Sequence, residues 1–169
     1  MKTLKPVLFS ILLLLLNYAN ANSATKNDTS NILNAYYEVK NALVNGTATA
    51  VNAKAKDLIT ALTSFPAAQL TAKEKAVWSK YADKLLFDAR HISESADIAH
   101  QREHFASLSI NMFKVVKGLK FNTAVVYRQY CPMKKSYWLS ESPAIENPYY
   151  GNQMLTCGEV KETLNPSLK

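Results

Sequence analysis

The sequence predicts a mainly α protein: an up-and-down four-helix bundle with a small irregular or β-containing cap at its C-terminal end. Three observations carry that expectation. Apolar residues recur at helical spacing in four successive segments between residues 31 and 122, which gives each segment one apolar stripe to bury against its neighbours. Start and stop residues punctuate those segments. From residue 123 the helical period ends, and β-branched residues, aromatics and prolines replace it, a composition suited to extended chain and turns.

The first helix is expected over about residues 31–44, capped by Ser30, with Ile32, Tyr36, Val39 and Leu43 on one face and Asn45-Gly46 as its stop. The second is rich in alanine, carries Val51, Ala55, Leu58, Leu62 and Phe65, and ends before Pro66. These two should form an antiparallel hairpin. Thr71-Ala-Lys-Glu74 is a capping-box pattern that opens the third helix, whose apolar face is Trp78, Tyr81, Leu85 and Ile92. Ser93-Glu-Ser95 interrupts it. Asp97 caps a fourth helix with apolar positions 98, 105, 108, 112, 115 and 119, and Gly118 and Asn122 stand where it should fray. Residues 123–130 and Tyr137-Trp-Leu139 read as strands, Pro148-Tyr-Tyr-Gly151 as a turn, and residues 158–164 as a last strand.

Residues 1–21 read as an address. Lys2 and Lys5 precede the apolar run Val7–Leu16, broken only by Ser10, and Ala19-Asn20-Ala21 fits a small-residue cleavage site. The run is about half the roughly 20 residues a membrane-spanning helix needs, and no later segment qualifies. The expected product is exported and begins at Asn22, with a flexible lead-in at 22–30, one domain at 31–164 (bundle 31–122, cap 123–164) and a loose tail at 165–169. Net charge falls from +7 to +5 once Lys2 and Lys5 are gone. The remaining lysines are scattered and accompany no nucleic-acid-binding motif, so no nucleic-acid partner is expected.

The chain's two cysteines fall in the cap, each beside a methionine: Cys131/Met133 and Met154/Cys157. Alternate residues of extended chain share a face, and three-residue spacing spans one tight turn, so each pair can converge. Thiolate and thioether sulfur favour Cu(I) or a similar thiophilic ion. Arg128, Lys134, Lys135 and Lys161 are expected to lower the thiol pKa values, while Tyr130, Tyr137, Trp138, Tyr149 and Tyr150 keep water away. The rival is a structural disulfide with the methionines as core filler. Such a bridge is worth roughly 3.5 kcal/mol in the chain-entropy account.

His100-Gln-Arg-Glu-His104 matches the His-x-x-Glu-His pattern of some zinc hydrolases. A solvated or hydrogen-bonded histidine pair is the plainer reading. A third reading is an accessory metal site in which His104, with His91 on the third helix, lies near the sulfurs. Met112 belongs to the apolar stripe of the fourth helix. Catalytic triads, phosphate-binding glycine loops and Cys-x-x-Cys motifs are absent from the sequence, and no enzyme is expected.

Tyr36-Tyr-Glu-Val-Lys-Asn-Ala-Leu43, Gln101-Arg-Glu-His-Phe-Ala-Ser-Leu-Ser109, Tyr130-Cys-Pro-Met133, Trp138-Leu-Ser140 and Asn147-Pro-Tyr-Tyr-Gly-Asn-Gln-Met-Leu-Thr-Cys-Gly-Glu-Val160 resemble domain-of-unknown-function family 3347. Its members are exported bacterial domains, found alone or attached to copper/silver efflux adaptor proteins. The resemblance implies a periplasmic domain in heavy-metal handling, copper (Cu(I)) foremost and silver second, with His91, His104, Cys131, Met133, Met154 and Cys157 as ligands. His100 falls outside the family pattern. The loop Lys134-Lys-Ser-Tyr137 is shorter than the family's usual glycine-containing one. The expected function is to buffer the ion or hand it to an efflux adaptor; the alternative is a disulfide-stapled envelope module that binds another protein without metal.

Overall fold

The computed structural model describes residues 31–166. The expected signal at 1–21, the lead-in at 22–30 and residues 167–169 of the tail lie outside the described residues. Four helices follow in order: α1 at 31–45, α2 at Ala48–Thr63, α3 at Ala72–Glu94 and α4 at Ile98–Leu119. A three-stranded antiparallel sheet completes the fold, with β1 at Val126–Cys131, β2 at Ser136–Ser140 and β3 at Glu159–Leu164 in the order β2-β1-β3.

Local signals explain the helix ends. Thr71 and Glu74 form a reciprocal capping box at the start of α3, so two otherwise orphaned amides are satisfied. Asp97 accepts from the Ala99 amide at 2.8 Å and opens α4. Two expectations shift. The second helix stops at Thr63 rather than reaching Phe65, because the residue before a proline is driven out of the helical region; Phe65 is buried regardless, its ring 4.2 Å from Trp78. At the far end of α4, Gly118 is not the stop. It is helical, and a Cβ there would lie 2.7 Å from Val77 Cγ1, so its missing side chain lets α3 and α4 approach closely. The helix ends one residue later at Leu119, capped by Lys120 in the left-handed conformation at φ 51°.

The predicted stripes meet in one core: Leu58 and Leu62 of α2, Leu85 and Ile92 of α3, and Phe105, Leu108 and Met112 of α4 are all buried. Trp138 and Leu139 of β2 join them, so bundle and cap share a single interior. Tyr36 of α1 is the junction. Its hydroxyl lies 2.7 Å from Ser109 Oγ on α4 and accepts the Leu139 amide of β2 at 3.0 Å. Nearby, the buried Lys40 amine reaches Glu141 at 3.1 Å. The strand β3 is tied back to α4 by Lys117–Glu162 at 2.7 Å and to β1 by Arg128–Glu162 at 3.4 Å.

Tyr36→Phe leaves the Leu139 amide buried without its acceptor, so it should cost about 1–3 kcal/mol in urea denaturation. Glu162 gives a pH prediction. The Lys117 ammonium hydrogen-bonded to it, with Arg128 beyond, holds its carboxyl below the usual range although partial burial opposes this. A depressed folded pKa contributes stability in full above the unfolded value, and that stability is lost as the pH falls through the folded value. Glu162→Gln should therefore lower stability at neutral pH by under about 1 kcal/mol and converge with the parent in acid, as urea melts at both pH values will show.

Candidate metal centre at the α3–α4 corner

His100 and His104 are four residues apart on α4, and His91 lies in the last turn of α3. Four-residue spacing stacks side chains on one helix face, and the tight α3–α4 connection brings the third imidazole to that face. Ligand atoms of His91, His100 and His104 all lie within 4.8 Å of one another. The His91 and His104 rings stack at 4.4 Å with 10° between their planes, and His100 meets His104 edge-on at 4.7 Å. All three are half-buried.

A carboxylate stands behind the trio. Asp88, one turn before His91 on α3, is almost fully buried, and its Oδ1 accepts from His104 Nδ1 at 3.0 Å. That bond fixes the tautomer and leaves Nε2 to ligate, the arrangement by which carboxylates orient metal-binding histidines. Phe87 lies across the outer side, its ring 4.4 Å from His91 and 5.8 Å from His104, and is itself 56% exposed. Glu103, which the zinc-hydrolase pattern would use as a base, is exposed and is not part of the group.

The corner is held from behind by two amides. Asn52 of α2 donates to the carbonyls of Ile92, Ser93 and Ser95 at 2.8–3.0 Å. The fully buried Gln101 of α4 donates to Ala48, Ile92 and Ser95 at 2.8–3.2 Å. The last carbonyls of a helix lack intrahelical partners, and these bonds satisfy two of them in α3, those of Ile92 and Ser93, while holding the turn that carries His91. Nitrogens bound to one ion at about 2.0–2.1 Å lie roughly 3.3–4.1 Å apart, and each imidazole aims its lone pair within its own ring plane, so ligation by all three requires the stacked His91 and His104 rings to rotate as well as draw together. Three neutral imidazoles suit zinc or copper.

The structure sorts the residues singled out from sequence into two places. His91 and His104 join His100, which the family resemblance had set aside, and the group contains neither cysteine. The three histidines form a group that could hold a metal ion without the cysteines. Both cysteines are free thiols, Cys131 buried and Cys157 half-buried. Met133 and Met154 are 60% and 38% exposed, so neither is core filler, whereas Met112 is.

The expected lowering of the thiol pKa does not hold at Cys157. Partial burial pushes that thiol up, and the adjoining Cys131 adds to it. Two of the basic residues proposed to lower it are engaged elsewhere: Arg128 stacks on Phe113 and Tyr137 and faces Glu162, and Lys161 pairs with Glu159 at 2.7 Å.

A family model described as "Protein of unknown function (DUF3347)" matches residues 32–124, more than half of the chain. The chain belongs to the DUF3347 family. The matched span takes in α1 to α4, and so all three histidines, and ends before Cys131. No curated protein and no solved structure matches the chain. Among the described residues no helix is long and apolar enough to cross a membrane.

Asp88→Asn keeps the shape of the buried side chain but weakens its hold on His104 Nδ1. The expected result is a metal affinity lower by roughly 10–100-fold with the fold intact, measured by competition with a chromophoric chelator alongside circular dichroism.

Proposed function

We propose that this DUF3347 chain is an exported, non-enzymatic metal-binding protein that holds a copper ion on His91, His100 and His104, and buffers it or passes it to an efflux adaptor. One observation carries the reading: three imidazoles from two helices with their ligand atoms within 4.8 Å, one of them oriented by a nearly buried aspartate. Isolated surface histidines have no need of such a partner. Among divalent first-row ions copper binds nitrogen donors most tightly, which favours it over zinc at equal supply. The signal-like residues 1–21 support export. The half-buried setting of the trio suits an ion that must be taken up and released, since a fully enclosed site would hold it more permanently.

The test is a competition titration of purified protein with Cu(II) and, separately, Zn(II). Binding of one equivalent is expected, with copper the tighter. His100→Ala should lower the affinity by more than the roughly 10–100-fold typical of an outer-shell change. Equal copper binding by His100→Ala and its parent, both carrying Cys131→Ser and Cys157→Ser so that the cap sulfurs take none, would refute the site.

A further inference from the structure

The cap holds a second constellation that the histidine site does not use. Cys131 ends β1 with its sulfur fully inside, and that sulfur accepts two N–H donors: Asn147 Nδ2 at 3.2 Å and the backbone amide of Lys134 at 3.4 Å. Donors aimed at sulfur favour an electron-rich thiolate, and such bonds tune sulfur at metal centres. Asn147 is itself completely buried, and the same Nδ2 donates to the Cys157 carbonyl at 2.7 Å. One interior amide therefore gathers the Cys131 sulfur and the Cys157 backbone.

Strand pairing brings Cys157 to the same place. The β1–β3 register ends with Tyr130 opposite Glu159, so the chain just before β3 runs beside Cys131. Gly158 permits the approach: a Cβ there would lie 2.8 Å from Trp138 Cη2 and 3.0 Å from the Tyr130 carbonyl. Cys157 is half-buried, which leaves its sulfur a route to solvent. The turns that carry the cysteines each expose a thioether. Met133 follows Cys131 in the β1–β2 turn, and the Met154 carbonyl accepts the Cys157 amide at 3.1 Å.

We infer that Cys131 and Cys157 form a second site in the cap, which takes a soft monovalent cation, Cu(I) or Ag(I), as a two-thiolate complex separate from the histidine trio. Sulfur donors select such ions over the harder or borderline ones that imidazoles accept. Binding is proton-coupled and redox-neutral: one M⁺ and two R–SH give [M(SR)₂]⁻ and two H⁺. The site does not depend on the copper reading of the histidines.

The experiment uses the His100→Ala protein, which cripples the corner site, reduced and then freed of reductant under argon. Silver(I) nitrate is titrated in chloride-free buffer while the ultraviolet thiolate-to-metal charge-transfer band and the released protons are followed. One silver ion and two protons per chain are expected, with a stoichiometric break in the band. Cys157→Ser in the same background replaces a half-buried sulfur conservatively; it should abolish the band while its thermal midpoint, read by circular dichroism, shows that the fold persists. Asn147→Asp, which keeps the size of the side chain but loses the donor to sulfur, should weaken binding and leave the stoichiometry at one. The proposal is overturned if no band appears, if Cys157→Ser titrates like its parent, or if intact mass shows a Cys131–Cys157 disulfide that resists reduction in the folded protein.

Discussion

Two side-chain amides, the buried one of Gln101 and the half-buried one of Asn52, close the end of the bundle at which the histidines meet. Ile92 and Ser93 in the last turn of α3 are buried, and Asn52 and Gln101 supply donors to carbonyls at that helix end from α2 and α4. The three helices are thereby referenced to one another at the corner. Without that reference the position of His91 relative to His100 and His104 would depend on the single Asp88–His104 bond and on apolar packing, which is non-directional. The same bonds explain why glutamine and asparagine are tolerated there, since each buried N–H finds a carbonyl.

The two donor sets differ in chemistry and in setting. The imidazoles are half-buried on α3 and α4, with Asp88 fixing one tautomer from the interior. The thiols lie in the cap, where Asn147 and the Lys134 amide serve the sulfur of Cys131. In each place a buried polar side chain, Asp88 or Asn147, holds a donor from the interior. Such an arrangement fixes the orientation of the donor atoms, as the proposed ligation would require. Exposed apolar side chains mark both places: Phe87 at the histidines, and Met133 and Met154 at the turns bearing the cysteines.

Much of the fold was legible because its signals are local. The apolar stripes, the Thr71–Glu74 box, the Asp97 cap and the change of pattern at residue 123 each depend on neighbours within a few residues, and the structure places helices and strands where those signals point. The misreadings were also local. Gly118 looks like a helix stop, yet its role is set by Val77, 41 positions away in sequence. His100 falls outside the family pattern, and its spacing from His104 points to a zinc-hydrolase motif rather than to a histidine trio. The signal that could have found it was the four-residue pairing with His104 together with a third histidine near the end of the preceding helix.

The sequence by itself determined the class of fold, the starts of α3 and α4, much of the core and the existence of two kinds of soft or borderline donor. These follow from periodicity and capping, which short stretches of chain carry. Only the tertiary structure decided which donors share a site. The angle and register of the α3–α4 hairpin put His91 with His100 and His104 rather than with the sulfurs, and the β1–β3 register brought the two cysteine segments together around Asn147. Ligation depends on distances of a few ångströms between residues far apart in the chain, and those distances arise when the helices and strands pack.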